Sequence, residues 1–239
     1  MRRAAGQREA SGLATVWLAR HSEVHNPDGI YYGRLPRMRL SGEGQRQAQA
    51  LAAFFAVRPL AAVYASPLLR ARQVARAVQA RHPGIPLRIS RDLHEVRTRW
   101  QGSSHAVLES IGWEIYAYHD GPDDETMDAI LARMRRWLTR VARRHGGGEV
   151  LGVTHGDPLL ILLAGLRGLP LGGLGTLRQA AGLGAYAPVG TVAQITVDAA
   201  GAARALGVLV PPYEQAVRLE PGGAGPGRPA QNSDAVSAT

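Results

Sequence analysis

Arg20 and His21 stand side by side at the end of the apolar run Leu13–Ala19, Arg70 follows shortly after Ala61–Ala65, and His155 with Gly156 closes Glu149–Thr154. Two arginines and a histidine make a cationic, donor-rich pocket, and a second histidine can act as a nucleophile. The guest such a set fits is an oxyanion such as a phosphoryl group. A lone histidine after a strand is more often a hydrogen-bonded spectator than a catalyst. The case rests on the combination, and on whether the fold can bring residues so distant in sequence together.

The elements that must do so are legible as short apolar, partly β-branched runs: Leu13–Ala19, Ala61–Ala65, Leu87–Ile89, Glu149–Thr154, Val192–Val197 and Ala203–Val208, all read as strands. Helices fall between them. Ser41 is read as the N-cap of a helix over about 42–57, with Ala48, Leu51, Ala52 and Phe55 at helical spacing. A longer helix is expected from near Pro122, with Asp123, Asp124 and Glu125 at its start, Arg140, Arg143 and Arg144 at its end, and Gly146 to Gly148 stopping it. Met127, Ile130, Leu131, Met134, Leu138 and Val141 form its apolar stripe, while Arg133, Arg135 and Arg136 read as a solvated face. Strands alternating with helices predict an α/β sandwich with a mostly parallel sheet. Ligands of such sheets bind at the carboxyl ends of strands, where Arg20-His21, Arg70 and His155-Gly156 all lie.

Length and composition bound the rest. The chain of 239 residues suits one catalytic domain over 13–210, between a flexible N-terminus at 1–12 and a flexible tail at 211–239 rich in Gly and Pro. The aromatic segment from Arg97 to Gly121 reads equally as a cap over a pocket or as ordinary core. No cysteine occurs, which excludes thiolate metal sites, disulfides and cysteine nucleophiles. No stretch approaches the roughly 20 apolar residues of a membrane span, and no signal core is visible, so a soluble, cytoplasmic protein with no membrane partner is expected. All basic charges are arginine and the net charge is +9, but the arginines are scattered without a reading motif, so no nucleic-acid partner is expected. A lysine-bearing nucleotide loop is ruled out by the absence of lysine, and no Gly-x-Ser-x-Gly elbow occurs. His155-x-Asp157 has no third metal ligand at useful spacing, so neither metal nor organic cofactor is expected.

Leu18-Ala19-Arg20-His21-Ser22-Glu23 resembles the Arg-His-Gly motif of the histidine phosphatase superfamily, the phosphoglycerate-mutase-like family. Further matches follow in that family's order: Gly33-Arg34, Leu40-Ser41-x-x-Gly44-x-x-Gln47-Ala48, Ser66-Pro67-Leu68-x-Arg70-Ala71-x-Gln73, Leu93-x-Glu95, Trp100-Gln101-Gly102 and Thr154-His155-Gly156. The resemblance covers residues 14 to 197 and implies a three-layer α/β/α fold. It implies His21 as a transiently phosphorylated nucleophile, Arg20, Arg70 and His155 as phosphate ligands, and Glu95 as proton donor. His94 and Asp92 are adjacent alternatives for the donor, and strand-like alternation points His94 away if Glu95 faces the pocket. Ser22, Asn26, Gly33 and Gly156 complete the candidate phosphate-binding set. Ser22 departs from the family's glycine and its hydroxyl is expected to be tolerated, while Asn26 comes one residue early.

The implied activity is a metal-independent phosphomonoesterase working through phosphohistidine on a small phosphorylated substrate. Mutase-type phosphotransfer is the alternative, disfavoured because Arg97 and Arg99 do not reproduce the basic run that grips a second acidic group. A silent phospholigand-binding member is the other alternative, raised by Ser22 and opposed by retention of both nucleophile and donor. The leaving group stays open among sugar phosphates, phosphoglycerates, nucleotide-pathway monoesters and protein phosphohistidine, and a homodimer stays open as well.

Overall fold

A computed structural model describes residues 12–118, 121–122, 124–213 and 216–222. Seven strands, β1 (Ala14–Arg20), β2 (Leu60–Ala65), β3 (Leu87–Ile89), β4 (Glu149–Thr154), β5 (Val192–Val197), β6 (Ala203–Leu209) and β7 (Ala216–Leu219), form one sheet in the order β3-β2-β4-β1-β5-β6-β7. The strands β3, β2, β4 and β1 are mutually parallel, and β5 to β7 extend the sheet in antiparallel pairings. The six expected strands are present to within a residue or so at each end.

Side chains alternate across each strand, so the sheet buries both faces. From β1, Val16 and Leu18 join one core, while Trp17 and Ala19 join the other. The helices α1 (Gly42–Phe55) and α2 (Leu69–Gln79) contribute to the second core. The first core takes residues from α3 (His105–Ser110), α4 (Met127–Arg144), α5 (Gly156–Arg167) and α6 (Leu174–Ala180). The result is the expected three-layer α/β/α arrangement. Ser41 caps α1 by accepting from the Gly44 amide at 2.9 Å. No helix among the described residues is long and apolar enough to cross a membrane.

Three expectations change. The long helix begins at Met127 behind a Thr126 cap, because Asp124 and Glu125 are taken up by Arg99, Arg34 and Arg133 and the chain there runs as a loop. Arg133 is buried rather than solvated, since it lies on the α4 face shared by Ile130, Met134 and Trp137. The tail expected from 211 onward is not uniformly unstructured: Ala216–Leu219 pairs with β6 as an edge strand, with Leu219 buried against the first core. Residues 1–11 and 223–239 lie outside the described residues.

At Gly152, in the middle of β4, the Trp137 ring of α4 packs directly onto the sheet. A Cβ there would stand 2.6 Å from Trp137 Cη2 and 3.0 Å from Leu18 Cδ1. Gly152→Ala is therefore expected to cost about 1–3 kcal/mol by overpacking. Chemical denaturation would read this as a lower midpoint with an unchanged slope, and an unchanged midpoint would show that Trp137 yields freely.

Candidate active site

The ends of β1, β4 and β2 bring the polar residues to one point. His21 is 1 % exposed, and its Nδ1 lies 2.7 Å from the carbonyl of Ser22. A carbonyl only accepts, so Nδ1 carries the hydrogen and Nε2 is left with a free lone pair. Burial first, then the charges of Arg70 and Arg20, hold the imidazole well below its usual pKa. His21 is thus neutral at physiological pH, as a nucleophile requires.

His155 is fully buried at the mouth of α5, with its ring centroid 5.2 Å from that of His21 and its Nε2 2.7 Å from Ser66 Oγ. Burial, followed by Arg70 and His21, lowers its pKa well below the usual value. Its Nδ1 lies 3.8 Å from Glu95 Oε2 and has no hydrogen-bond partner. With His155 neutral, this approach is no ion pair, and the ring nitrogen is available to a ligand.

Arg70, fully buried at the start of α2, donates one Nη to the Gly33 carbonyl at 2.6 Å and lies over the Tyr32 ring at 4.7 Å. Its Nε and other Nη have no partner. Arg20 donates to the Ala187 carbonyl, lies 5.1 Å from the centre of the Tyr186 ring, and keeps an unpartnered Nε. Buried guanidinium donors without acceptors are costly, and an oxyanion offering several acceptors removes that cost. The N-terminus of α5, just beyond His155, adds its positive end to the same region. The Ser22 hydroxyl is also buried and without a partner. Ser22 is therefore accommodated at the glycine position of the motif, with a donor to spare.

Glu95 is buried on the loop after the short helical turn Arg91–Leu93, and one carboxyl oxygen accepts from the Val96 amide at 2.9 Å. Burial, and then the neighbouring charge of Asp157, push its pKa up to about 7 against the opposing pull of Arg70. A carboxyl poised there can give a proton in one step and take one in the next. Its rivals are placed elsewhere. Asp92 pairs with Arg140 at 2.8 Å and Arg136 at 3.7 Å, and His94, lowered to about 4 by burial, stays outside the cluster formed by His21, Glu95 and His155.

Sequence reasoning missed what holds the Glu95 loop. The Glu95 carbonyl accepts from Arg34 Nε at 2.7 Å and from Arg133 Nη at 3.4 Å, and both guanidinium groups are tied to the Glu125 carboxylate at 2.7 to 3.1 Å. Arg133 also reaches the Asp92 carbonyl at 2.6 Å. The only hint in the sequence is Arg34 within the quoted Gly33-Arg34 match, because helical position alone gives no sign that one arginine of a run turns inward. Tyr186 was likewise unsignalled.

The Asn26 side-chain amide donates to the Ile30 carbonyl at 2.9 Å and its oxygen accepts from the Ile30 amide at 3.3 Å, so both ends are engaged within its own loop. Gly33 and Gly156 act through backbone and space. Gly33 offers its carbonyl to Arg70, and a Cβ at Gly156 would overlap the Tyr186 hydroxyl. Although His155-x-Asp157 has no third metal ligand at useful spacing in the sequence, in space His21, Glu95 and His155 place ligand atoms within 4.8 Å of one another. The adjoining Arg20 and Arg70 charges oppose a cation at that point and favour an anion.

The model of the histidine phosphatase superfamily (branch 1) matches residues 16–185. The uncharacterized protein Rv0525 of Mycobacterium tuberculosis is 35 % identical over 159 residues, 64 % of this chain and 78 % of that one. The adenosylcobalamin/alpha-ribazole phosphatase of Escherichia coli K12 is 30 % identical over 164 residues, 65 % of this chain and 80 % of that one. Among solved structures, Bacillus stearothermophilus YhfR superposes with a TM-score of 0.69 at 25 % identity, covering 80 % of this chain and 94 % of that chain.

Proposed function

The chain belongs to the histidine phosphatase superfamily, and we propose that it is a phosphohydrolase acting on small phosphomonoesters through a phosphohistidine at His21. The observation that carries this reading is the pairing of a neutral His21, whose Nδ1 is bound to the Ser22 carbonyl, with a Glu95 carboxyl poised near pH 7. A module that only binds phosphate has use for neither.

In the first step the substrate phosphate lies among Arg20, Arg70, His155 and the start of α5. His21 Nε2 attacks phosphorus, the ester P–O bond breaks, and Glu95 gives its proton to the departing oxygen. The loose transition state spreads charge over the equatorial oxygens, which is where guanidinium donors are most effective. In the second step ionised Glu95 takes a proton from water, the oxygen attacks phosphorus, the P–N bond breaks, and inorganic phosphate leaves with His21 neutral again. The scheme draws on no metal or organic cofactor, and the reading we propose is of a cytoplasmic enzyme acting on a small molecule, without a nucleic-acid or membrane partner. The mutase alternative is less favoured, because Arg99 is engaged with Asp124 at 2.9 Å and the buried Arg133 serves the Glu95 loop.

Phosphate release from a panel of small phosphomonoesters, with chelator present, tests the reading. Turnover that persists in chelator, with an acid-labile, base-stable phosphoryl group trapped on the protein, is the expected result. Loss of turnover in chelator would instead make His21, Glu95 and His155 a metal site.

A further inference from the structure

Beside the phosphate site lies a cavity of about 220 Å³ walled chiefly by Tyr31, Trp113, Ile115, Tyr116, Leu177 and Tyr186. Tyr186 belongs to both places, since its ring faces the Arg20 guanidinium and its hydroxyl reaches into the cavity to Asp157. Asp157 follows Gly156 at the start of α5, and a Cβ at Gly156 would block this approach of Tyr186. A group esterified to a phosphate held by Arg20 and His155 therefore has this cavity next to it.

The lining defines the chemistry of that group. Four aromatic rings and three aliphatic side chains, Ile115, Leu174 and Leu177, leave little for a polyol to bind, and they offer faces and edges to a flat ring. Trp113 is brought there by a turn in which both Gly112 and Trp113 have left-handed backbone, with φ of 61° and 62°. That conformation is uncommon for a bulky residue and holds only where surrounding packing imposes it. The one buried charge in the wall is negative. Asp157 is 7 % exposed and accepts from Tyr116 Oη at 2.6 Å and Tyr186 Oη at 2.5 Å. A carboxylate has about four acceptor positions, so two remain for a donor on the ligand. The same charge repels a second acidic group on the substrate. Arg178 also touches the cavity, but it is exposed, where solvent and salt screen its charge.

We infer that the alcohol half of the substrate is a flat, ring-bearing, mostly apolar group without a negative charge, seated among Tyr31, Trp113, Tyr116 and Tyr186 and able to donate a hydrogen bond to Asp157. The inference rests on the phosphohydrolase reading for the reaction, but the selectivity it assigns is a binding property and is testable without turnover.

Dissociation constants for three non-hydrolysable probes, naphthylmethyl phosphonate, a dihydroxybutyl phosphonate and a carboxyalkyl phosphonate, test it alongside hydrolysis of benzyl and glycerol phosphates, whose leaving alcohols are of similar acidity. The naphthylmethyl probe is expected to bind roughly 10- to 100-fold more tightly than the dihydroxybutyl one, in keeping with burial of one ring system, and the carboxylated probe most weakly. Leu177→Trp, which fills the cavity, is expected to erase the aromatic preference. Asp157→Asn is expected to narrow the gap between the carboxylated probe and the others. Equal affinities, or tightest binding of the carboxylated probe, would overturn the inference while leaving the phosphohydrolase reading intact. Failure to hydrolyse any ester would overturn that reading, with the phosphonate affinities still deciding the cavity's role.

Discussion

His21→Ala is expected to lower kcat/KM for any phosphomonoester by at least about 10⁴-fold, because removal of a covalent nucleophile leaves only binding and charge stabilisation. The cavity left by the imidazole is lined by His155 and the two arginines, so inorganic phosphate should still bind within roughly threefold of the native affinity, its contacts being to groups that remain. The pair of measurements matters more than either alone. Lost turnover with retained phosphate binding identifies His21 as the attacking group. Loss of both would mean that the imidazole also holds the pocket in shape. Residual turnover above about one part in a hundred would point to direct attack by water and would sink the phosphohistidine mechanism.

Glu95→Gln is expected to reduce hydrolysis of alkyl phosphates by about 10²- to 10⁴-fold, the range for a lost general acid. Nitrophenyl phosphate, whose leaving group departs without a proton, should lose far less in the phosphorylation step. The sign of the pH dependence follows from the raised pKa. Below about 7 Glu95 is protonated and can serve as donor, so native kcat/KM for an alkyl ester should fall about tenfold per pH unit above that point. The Gln variant should show no such limb. Because His21 is held well below its usual value, the acidic limb due to the nucleophile should lie below pH 6.5.

Stability carries an independent signature of the same carboxyl. The folded state keeps a proton that the unfolded chain releases near the ordinary value of 4.5, so this contribution is full below 4.5 and is lost as pH rises to about 7. At pH 8 the uncharged Gln variant should therefore be more stable than the native protein, by on the order of 1–3 kcal/mol. Thermal melts at pH 5 and pH 8 would check this, and a variant equally or more destabilised at pH 8 would mean that Glu95 is not strained by burial.

Most of the residues gathered at the candidate site were legible because they follow strands. The apolar runs ending at Ala19, Ala65 and Thr154 are short and β-branched, and parallel strands of one sheet put their carboxyl ends side by side, so Arg20, His21, Arg70 and His155 had to meet. Glu95 was reachable only through the resemblance of Leu93-x-Glu95 to a family motif, since it stands on a loop with no periodicity of its own. Asn26 stands on weaker ground for the opposite reason. A polar residue near a motif looks like a ligand, but asparagine readily satisfies its own loop, as its two bonds to Ile30 do here.

The sequence by itself determined six of the seven strands in their chain order, the absence of thiol chemistry, and the set of charged groups at the strand ends, because these depend on local periodicity and residue type. Tertiary structure alone decided which groups are buried and beside what. Burial sets Glu95 near neutrality and keeps His21 and His155 uncharged, and it turns Arg133 inward to Glu125 and the Glu95 carbonyl while Arg136 on the same helix stays at the surface. It also gathers Tyr31, Trp113, Tyr116 and Tyr186, from three separate stretches of chain, into one cavity beside the phosphate site. Desolvation and long-range contact are properties of the packed whole, and no window of sequence contains them.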